Sequence, residues 1–330
     1  MRPFTLTITQ LASLAWVLWL SLYVQCAVAQ QSRPLPTIGI LTLSAGPNET
    51  IITSLKSGLR QLGYVEGKNL RVEFRTAGGH PEQLLKLAEE LVALQPNVIV
   101  TGGGPQIRAA AQVTRTIPVV VLFHEAEPAL SRLIASYRQP GGNVTGIDAR
   151  EIEVVGKRLE LLKELFPSLK QAAVLWDAYS RAEVEQLKLE AQSAGIGLHL
   201  IEMNEPYDFV AAFKTVKKMH IEAALIPLGP QFYVRRAELS DAALRAKVAT
   251  IHQKEDMVRA GSLISYGTSF DDTWGRAAYL VDRILKGARP SELPVEQVSR
   301  FRVSVNLKTA KALGLTIPES IVVRADEIIR

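Results

Sequence analysis

From Thr37 onward, short apolar runs rich in β-branched residues alternate with amphipathic helical patterns, and turn residues fall in the gaps. Residues 38–41 read as a strand, 51–62 as a helix stopped at Gly63, and 70–75 as a second strand. A helix over 82–94 begun by Pro81, a strand at 98–101, a helix at 106–113 and an apolar strand at 119–123 continue the series. Such alternation predicts a parallel sheet with helices on both faces, because each crossover needs a helix to return the chain to the same edge. Pro140-Gly141-Gly142-Asn143 breaks the rhythm within 139–146. A second series follows: helix 153–165, strand 172–176, helix 181–194 closed by Gly195, strand 198–202, helix 209–219, strand 223–226, helix 232–245 and strand 248–252. Two α/β units therefore share one chain.

After Gly261, a strand at 263–266, a helix at 273–286 and a strand at 300–305 are too few elements for a third core, so they must complete the existing sheets. With the 263–266 strand assigned to the first unit and the 300–305 strand to the second, the chain crosses between units three times, which makes a hinge. The expected division is residues 36–145 with 263–293 as the first lobe, and 146–262 with 294–330 as the second.

Upstream, no charge lies between Arg2 and Arg33, residues 11–24 form an apolar run, and Ala27 and Ala29 fit a signal peptidase site. Residues 1–29 are therefore expected to be a signal peptide cleaved after Ala29. The run is shorter than the roughly 20 residues of a membrane span, and retention as an N-terminal anchor is the alternative. Acylation of Cys26 is disfavoured by Val24 and Gln25 before it. Cleavage would remove Cys26, the only cysteine, leaving a fold held by its core without disulfides. The formal charge of +5 drops by one with Arg2. Bases such as Lys56, Arg60 and Lys68 are mixed with acids such as Glu66, a solvated surface rather than a nucleic-acid footprint.

Ligands of open parallel sheets sit beyond the carboxyl ends of the strands. That directs attention to residues 44–47, 101–105, 124–128, 177–180, 228–231 and Gln253, which would line one cleft if the lobes face each other. Gly102-Gly103-Gly104 follows a strand and opens a helix, where backbone N–H groups and positive partial charge suit a carboxylate or phosphate. It has neither the G-x-G-x-x-G nor the Walker spacing, and a plain tight turn stands beside the ligand reading. Ser44 can bind a ligand or cap a turn. His124, Glu125 and Glu127 make no H-E-x-x-H, since Pro128 stands where the second His belongs, and neither metal nor cofactor is expected. His252 is the other histidine of interest, at a strand end. Neither G-x-S-x-G nor S-x-x-K occurs after the leader, and Asp271-Asp272 read as a helix cap, so no catalytic residue is expected. Tyr179, Phe232, Tyr233, Tyr266, Phe270 and Trp274 cluster near loops, as in a cleft that stacks a small organic ligand.

The most specific stretches are Pro140-Gly141-Gly142-Asn143-Val144-Thr145-Gly146, Leu161-Leu162-Lys163-Glu164-Leu165-Phe166-Pro167, Ser265-Tyr266-Gly267 and Ile284-Leu285-Lys286-Gly287. Strongest of all is Leu293-Pro294-Val295-Glu296-Gln297 running on to residues 306–315. On these motifs, residues 38–329 resemble the ABC-transporter substrate-binding proteins of the tryptophan/tyrosine-binding type. The resemblance implies a type I periplasmic-binding fold: two Rossmann-like α/β lobes with parallel sheets, a three-strand hinge, and a ligand enclosed by closure. It implies a periplasmic, monomeric solute-binding component that is not an enzyme and hands its ligand, by default an aromatic or other amino acid, to an ABC permease in the inner membrane. Ligand contacts are expected at Ser44, Gly46, Gly103, Gly104, Glu127, Asp177, Tyr179, Gln231 and Tyr266. Glu127-Pro128-Ala129 replaces the family's usual Asp-Pro-Val, and Asp177-Ala178 its Asn-Pro; both positions are expected to face the cleft and to bear on the choice of solute. The alternatives are an exported α/β enzyme using His124 or His252 as base, and a binding module that feeds a sensor.

Overall fold

The most apolar runs lie at the centre of a sheet. In the structure, a computed structural model, residues 34–43, 46, 49–123 and 132–330 are described. The expected leader, Cys26, Ser44 and residues 124–131 with His124 and Glu127 lie outside the described residues. The first lobe begins with β1 (Thr37–Thr42), α1 (Thr50–Gln61), β2 (Arg71–Thr76), α2 (Leu84–Ala93), β3 (Val98–Gly102), α3 (Gly104–Val113), β4 (Val119–Phe123) and β5 (Val144–Asp148). β3, β4 and β5 are buried at every position, as parallel strands covered on both faces must be. Where β5 lies beside β4, a Cβ on Gly146 would stand 1.9 Å from the Val121 carbonyl oxygen, so only glycine fits there.

The second lobe follows with α4 (Val155–Leu165), β6 (Gln171–Trp176), α5 (Arg181–Ala194), β7 (Gly197–Glu202), α6 (Phe209–Lys218), β8 (Ala223–Leu225), α7 (Pro230–Val234), α8 (Arg236–Ala246), β9 (Ala249–His252), α9 (Glu255–Arg259) and β10 (Ile264–Gly267). Then come α10 (Phe270–Leu285), β11 (Glu296–Gln297), β12 (Arg302–Asn306), α11 (Leu307–Leu313), α12 (Glu319–Arg324) and β13 (Glu327–Ile329). Among the described residues the sheets have six strands in the order β11-β5-β4-β3-β1-β2 and seven in the order β13-β12-β10-β9-β8-β6-β7. All pairs are parallel except β10 with β12.

The chain crosses three times between the sheets: after β5, after β10 and between β11 and β12. The assignment of the 263–266 strand to the first lobe is corrected. Ile264 and Ser265 sit in parallel register with Ile251 and His252 of β9, and β12 flanks them on the other side. What enters the first lobe is α10, whose Trp274, Ala277, Ala278, Val281 and Ile284 share a core with Ile52, Leu55 and Leu59 of α1. Each buried Val, Leu or Ile side chain among these contributes roughly 1.5–3 kcal/mol. The helices touch backbone to backbone, for a Cβ on Gly58 would lie 2.6 Å from the Gly275 carbonyl oxygen. The expected lobe boundaries shift accordingly, since β5 runs on to Asp148 and β11 pairs with it in the first sheet.

Adjacent crossings are tied together. Val298 N–H donates to the Asp148 carbonyl (2.9 Å), and the Tyr266 ring stacks on Phe301 with centroids 6.0 Å apart. Thr268 donates both its backbone N–H (2.9 Å) and its hydroxyl (2.7 Å) to Glu151.

Candidate functional site

Between the lobes lies a cavity of about 820 Å³, walled by the ends of β1, β3 and β4 and by α10 on one side, and by the segments after β6, β8 and β9 on the other. These are the strand ends at which parallel sheets place ligands. The Gly102-Gly103-Gly104 turn forms part of the first wall, and its glycines have separate tasks. A Cβ on Gly102 would meet the Trp274 ring and the Leu122 carbonyl at 3.1 Å, so its absence lets the indole lie on the backbone. Gly103 has φ +84 and donates its N–H to the Leu122 carbonyl (2.8 Å) just before α3 starts.

Tyr179 also lines the cavity, from the loop after β6. Burial, with the Asp177 charge behind it, raises its hydroxyl pKa and keeps it neutral. The expectation that Asp177 faces the cleft is corrected. The residue is 1% exposed, and its carboxylate accepts from the backbone N–H groups of Tyr179 (3.0 Å) and Ser180 (3.2 Å) and from the Tyr207 hydroxyl (3.2 Å). Burial pushes its pKa up against these bonds. An aspartate after a strand and before a helix is a strong N-cap, and that is its task here. Gly46 accepts the N–H of Glu49 in the turn leading to α1. Gln231 donates to the Gly79 carbonyl across the lobes (3.3 Å), and Tyr266 stands on the hinge. These three lie outside the cavity lining.

His252 does not line the cavity either. It is buried in the second lobe, with Nε2 2.9 Å from the Ser262 hydroxyl, which in turn lies 2.8 Å from that of Ser240. Burial first, and the Arg158 charge second, push its pKa down to about 3. Asp271 and Asp272 occupy the first turn of α10, but the cap is Ser269, whose hydroxyl accepts the Asp271 N–H. Among the described residues no group of three or more His, Cys, Asp or Glu is placed to hold a metal ion, and no helix is long and apolar enough to cross a membrane.

Sequence reasoning passed over several lining residues. Arg108, Arg132 and Arg181 bring positive charge to the cavity, and Gln106, Glu151 and Gln253 bring further polar groups. Four buried side-chain polar atoms among the described residues lack a hydrogen-bond partner, and three of them belong to lining residues: Gln106 Oε1, Gln253 Oε1 and Trp274 Nε1. A buried polar atom left unpaired costs about 1–3 kcal/mol. Gln253 lay in a loop already marked by its place after a strand, and Trp274 in the aromatic set. The arginines sit on helices or loops where a charge is normally solvated, and nothing in their spacing sets them apart.

Behind this wall is a buried ionic network. Glu151 accepts from Lys254 (2.6 Å) and Arg158 (3.2 Å), and Arg158 also reaches Glu183 (2.7 Å) and the Tyr266 carbonyl (3.1 Å). Lys254 further donates to the Thr268 carbonyl (2.8 Å). Two acids and two bases thus bind the first two crossings to α4, α5 and the end of β9.

Two α/β lobes, three tied crossings and a walled cavity between them define a hinged solute-binding protein. Residues 38–329 match the family described as ABC transporter substrate binding protein, and the chain belongs to that family. Such proteins bind small solutes and pass them to ABC permeases. The chain is 25% identical over 298 residues to a tyrosine-binding protein of Clostridioides difficile, covering 86% of this chain and 82% of that one. A conserved domain protein from Vibrio cholerae superposes with a TM-score of 0.80 at 27% identity, covering 88% of this chain and 99% of its own. An ABC domain from Streptococcus pneumonia in complex with L-Trp gives 0.79 at 24% identity, covering 89% and 100%.

Proposed function

We propose that this chain is the periplasmic solute receptor of an ABC importer, exported with its leader removed. In this reading it acts as a monomer without affinity for nucleic acid, and binds a small aromatic carboxylic acid, first of all an aromatic amino acid, reversibly and without turnover. The composition of the cavity carries the reading. Phe123, Phe270 and Trp274 line one wall, Tyr179 and Tyr233 the other, with Arg108, Arg132 and Arg181 in the same lining. Aromatic walls desolvate and stack a ring, and guanidinium groups suit a carboxylate. The volume of about 820 Å³ falls within the roughly 300–1,000 Å³ of small-molecule sites. The tyrosine-binding relative and the L-Trp complex support the same ligand class.

A solute touching both walls favours the closed arrangement by its differential affinity for that state, and the permease reads the closure. Thermal-shift and calorimetric screening of aromatic amino acids, aryl carboxylates, sugars and purines tests the proposal. An aromatic acid at about 100 times its Kd is expected to stabilise the fold by roughly 2.7 kcal/mol and to be recovered unchanged. Conversion of the solute to a product, or stabilisation by sugars alone, would refute it.

A further inference from the structure

Tyr233 lines the cavity from α7 of the second lobe, yet the apolar cluster that buries it belongs mainly to the first. Tyr233 and Met257 are its buried members from the second lobe, while Ile51 and Ile52 of α1 and Phe270 and Trp274 of α10 are among those from the first. The Tyr233 ring meets that of Phe270 edge to face, with centroids 5.8 Å apart. Its hydroxyl donates to Asp256 Oδ2 at 2.7 Å. Burial first, and the Asp256 charge second, raise the pKa of that hydroxyl, so it stays a donor. The other oxygen of Asp256 accepts from the hydroxyl of Thr50, the first residue of α1, at 3.1 Å and from Arg259 at 2.9 Å. Asp256, 6% exposed, therefore ties the second lobe's cavity wall to the start of a first-lobe helix.

We infer that Tyr233, Asp256 and Thr50 form a latch between the lobes, and that Tyr233 is the positioning residue through which solute binding and closure are coupled. Its hydroxyl holds Asp256 where the Thr50 hydroxyl of the other lobe can reach it, while its ring packs among first-lobe side chains. Every contact in the latch is made by the chain's own side chains, so it favours closure before a solute arrives, and the solute-free protein is closed part of the time. A solute packed against Tyr233 then adds to a joint already formed, and its apparent affinity rises with the closed fraction. The latch differs from the more exposed Arg236–Glu49 bridge because its acceptor is buried, where a hydrogen bond to a carboxylate is stronger than in water. The inference rests on the solute-receptor reading above and names the residues that set its closing equilibrium.

Two conservative variants test the latch: Thr50→Val removes the bond between the lobes, and Tyr233→Phe keeps the ring but removes the hydroxyl. The readouts are stopped-flow binding of L-tryptophan and L-tyrosine and X-ray scattering of the solute-free protein, with circular dichroism melts to check folding. In Thr50→Val, dissociation is expected to speed up on the order of tenfold, with association within about twofold of wild type. Tyr233→Phe shifts dissociation the same way by a smaller factor, and both variants show a larger solute-free radius of gyration. The double variant goes no further than Thr50→Val alone, because both changes act through Asp256. Thr50→Ser, which keeps the hydroxyl, restores the wild-type rate and radius. A lowered Tm with dissociation rates and radii unchanged would reduce these bonds to structural contacts and overturn the inference, leaving the solute reading standing. If wild type binds neither amino acid, the aromatic-acid reading falls, and the scattering comparison alone decides the latch: equal radii overturn it and larger ones uphold it.

Discussion

Two sets of polar contacts that join the lobes differ in solvation. At the hinge, Glu151, Arg158, Glu183 and Lys254 have side chains at most 4% exposed. Across the cleft, Arg236 meets Glu49 at 2.8 Å with side chains 24% and 29% exposed, and Gln231 reaches the Gly79 carbonyl at 3.3 Å. Separating charges that water cannot reach is expensive, because attraction and desolvation are both large in a low dielectric. Exposed pairs are worth about 0–1 kcal/mol. On that difference, opening of the cleft is expected to break the cross-cleft bridges and to leave the hinge network whole as the pivot.

The largest test breaks the hinge. Lys254→Met takes one cation from the buried Glu151 carboxylate, which keeps Arg158 at 3.2 Å and the two Thr268 donors, and removal of one member of a buried pair typically costs about 3–5 kcal/mol. The unfolding free energy from urea denaturation is expected to fall by that amount, and the double variant with Glu151→Gln to recover part of it. A loss below about 1 kcal/mol would mean that these charges behave like surface pairs.

His252 sharpens the same contrast through pH. With a pKa of about 3 in the folded chain against an ordinary 6.5, it stays neutral in the native state while the unfolded chain takes up a proton. The unfolded state therefore binds more protons between these values. Its contribution to stability is complete above pH 6.5 and is lost as pH falls toward 3. The slope approaches about 1.4 kcal/mol per pH unit, or roughly 2 kcal/mol by pH 5. Unfolding measured from pH 7.5 to 4.5 in wild type and His252→Gln should show that component of the slope only in wild type. Equal slopes would remove the buried imidazole from the account.

Strand–helix alternation was enough to read two α/β lobes and the loops that wall the cavity, since those follow from local periodicity and the geometry of parallel sheets; the count of three crossings stands, though it was reached through a strand now placed in the other lobe. The place of β10 was not legible. A four-residue strand has too little pattern to state its neighbours, and here register with β9 and an antiparallel edge on β12 decided it. Asp177 was misread because one residue type serves both as a helix cap and as a ligand group, and only its burial and its bonds to Tyr179 and Ser180 separate the two. Gln253 was marked by its loop, but its bond to Glu183, 70 positions away in sequence, leaves no local signal.

The smallest expected effect lies at the cross-cleft bridge. Arg236 donates to Glu49, caps the Tyr233 carbonyl (2.8 Å) and stacks over the Tyr233 ring at 4.7 Å, so Arg236→Ala removes packing as well as charge. Glu49→Gln keeps the packing and isolates the ion pair. An exposed pair of this kind is worth at most about 1 kcal/mol, so the unfolding midpoint of Glu49→Gln should hardly move. Solute affinity should weaken by no more than about fivefold, because only the closed state loses a contact. X-ray scattering of the apo protein should show a larger radius of gyration in the variant than in wild type, with the difference vanishing at saturating solute. An affinity loss beyond about tenfold, roughly 1.4 kcal/mol, would exceed what an exposed pair supplies, and the division between a fixed hinge and a breakable cleft would fall.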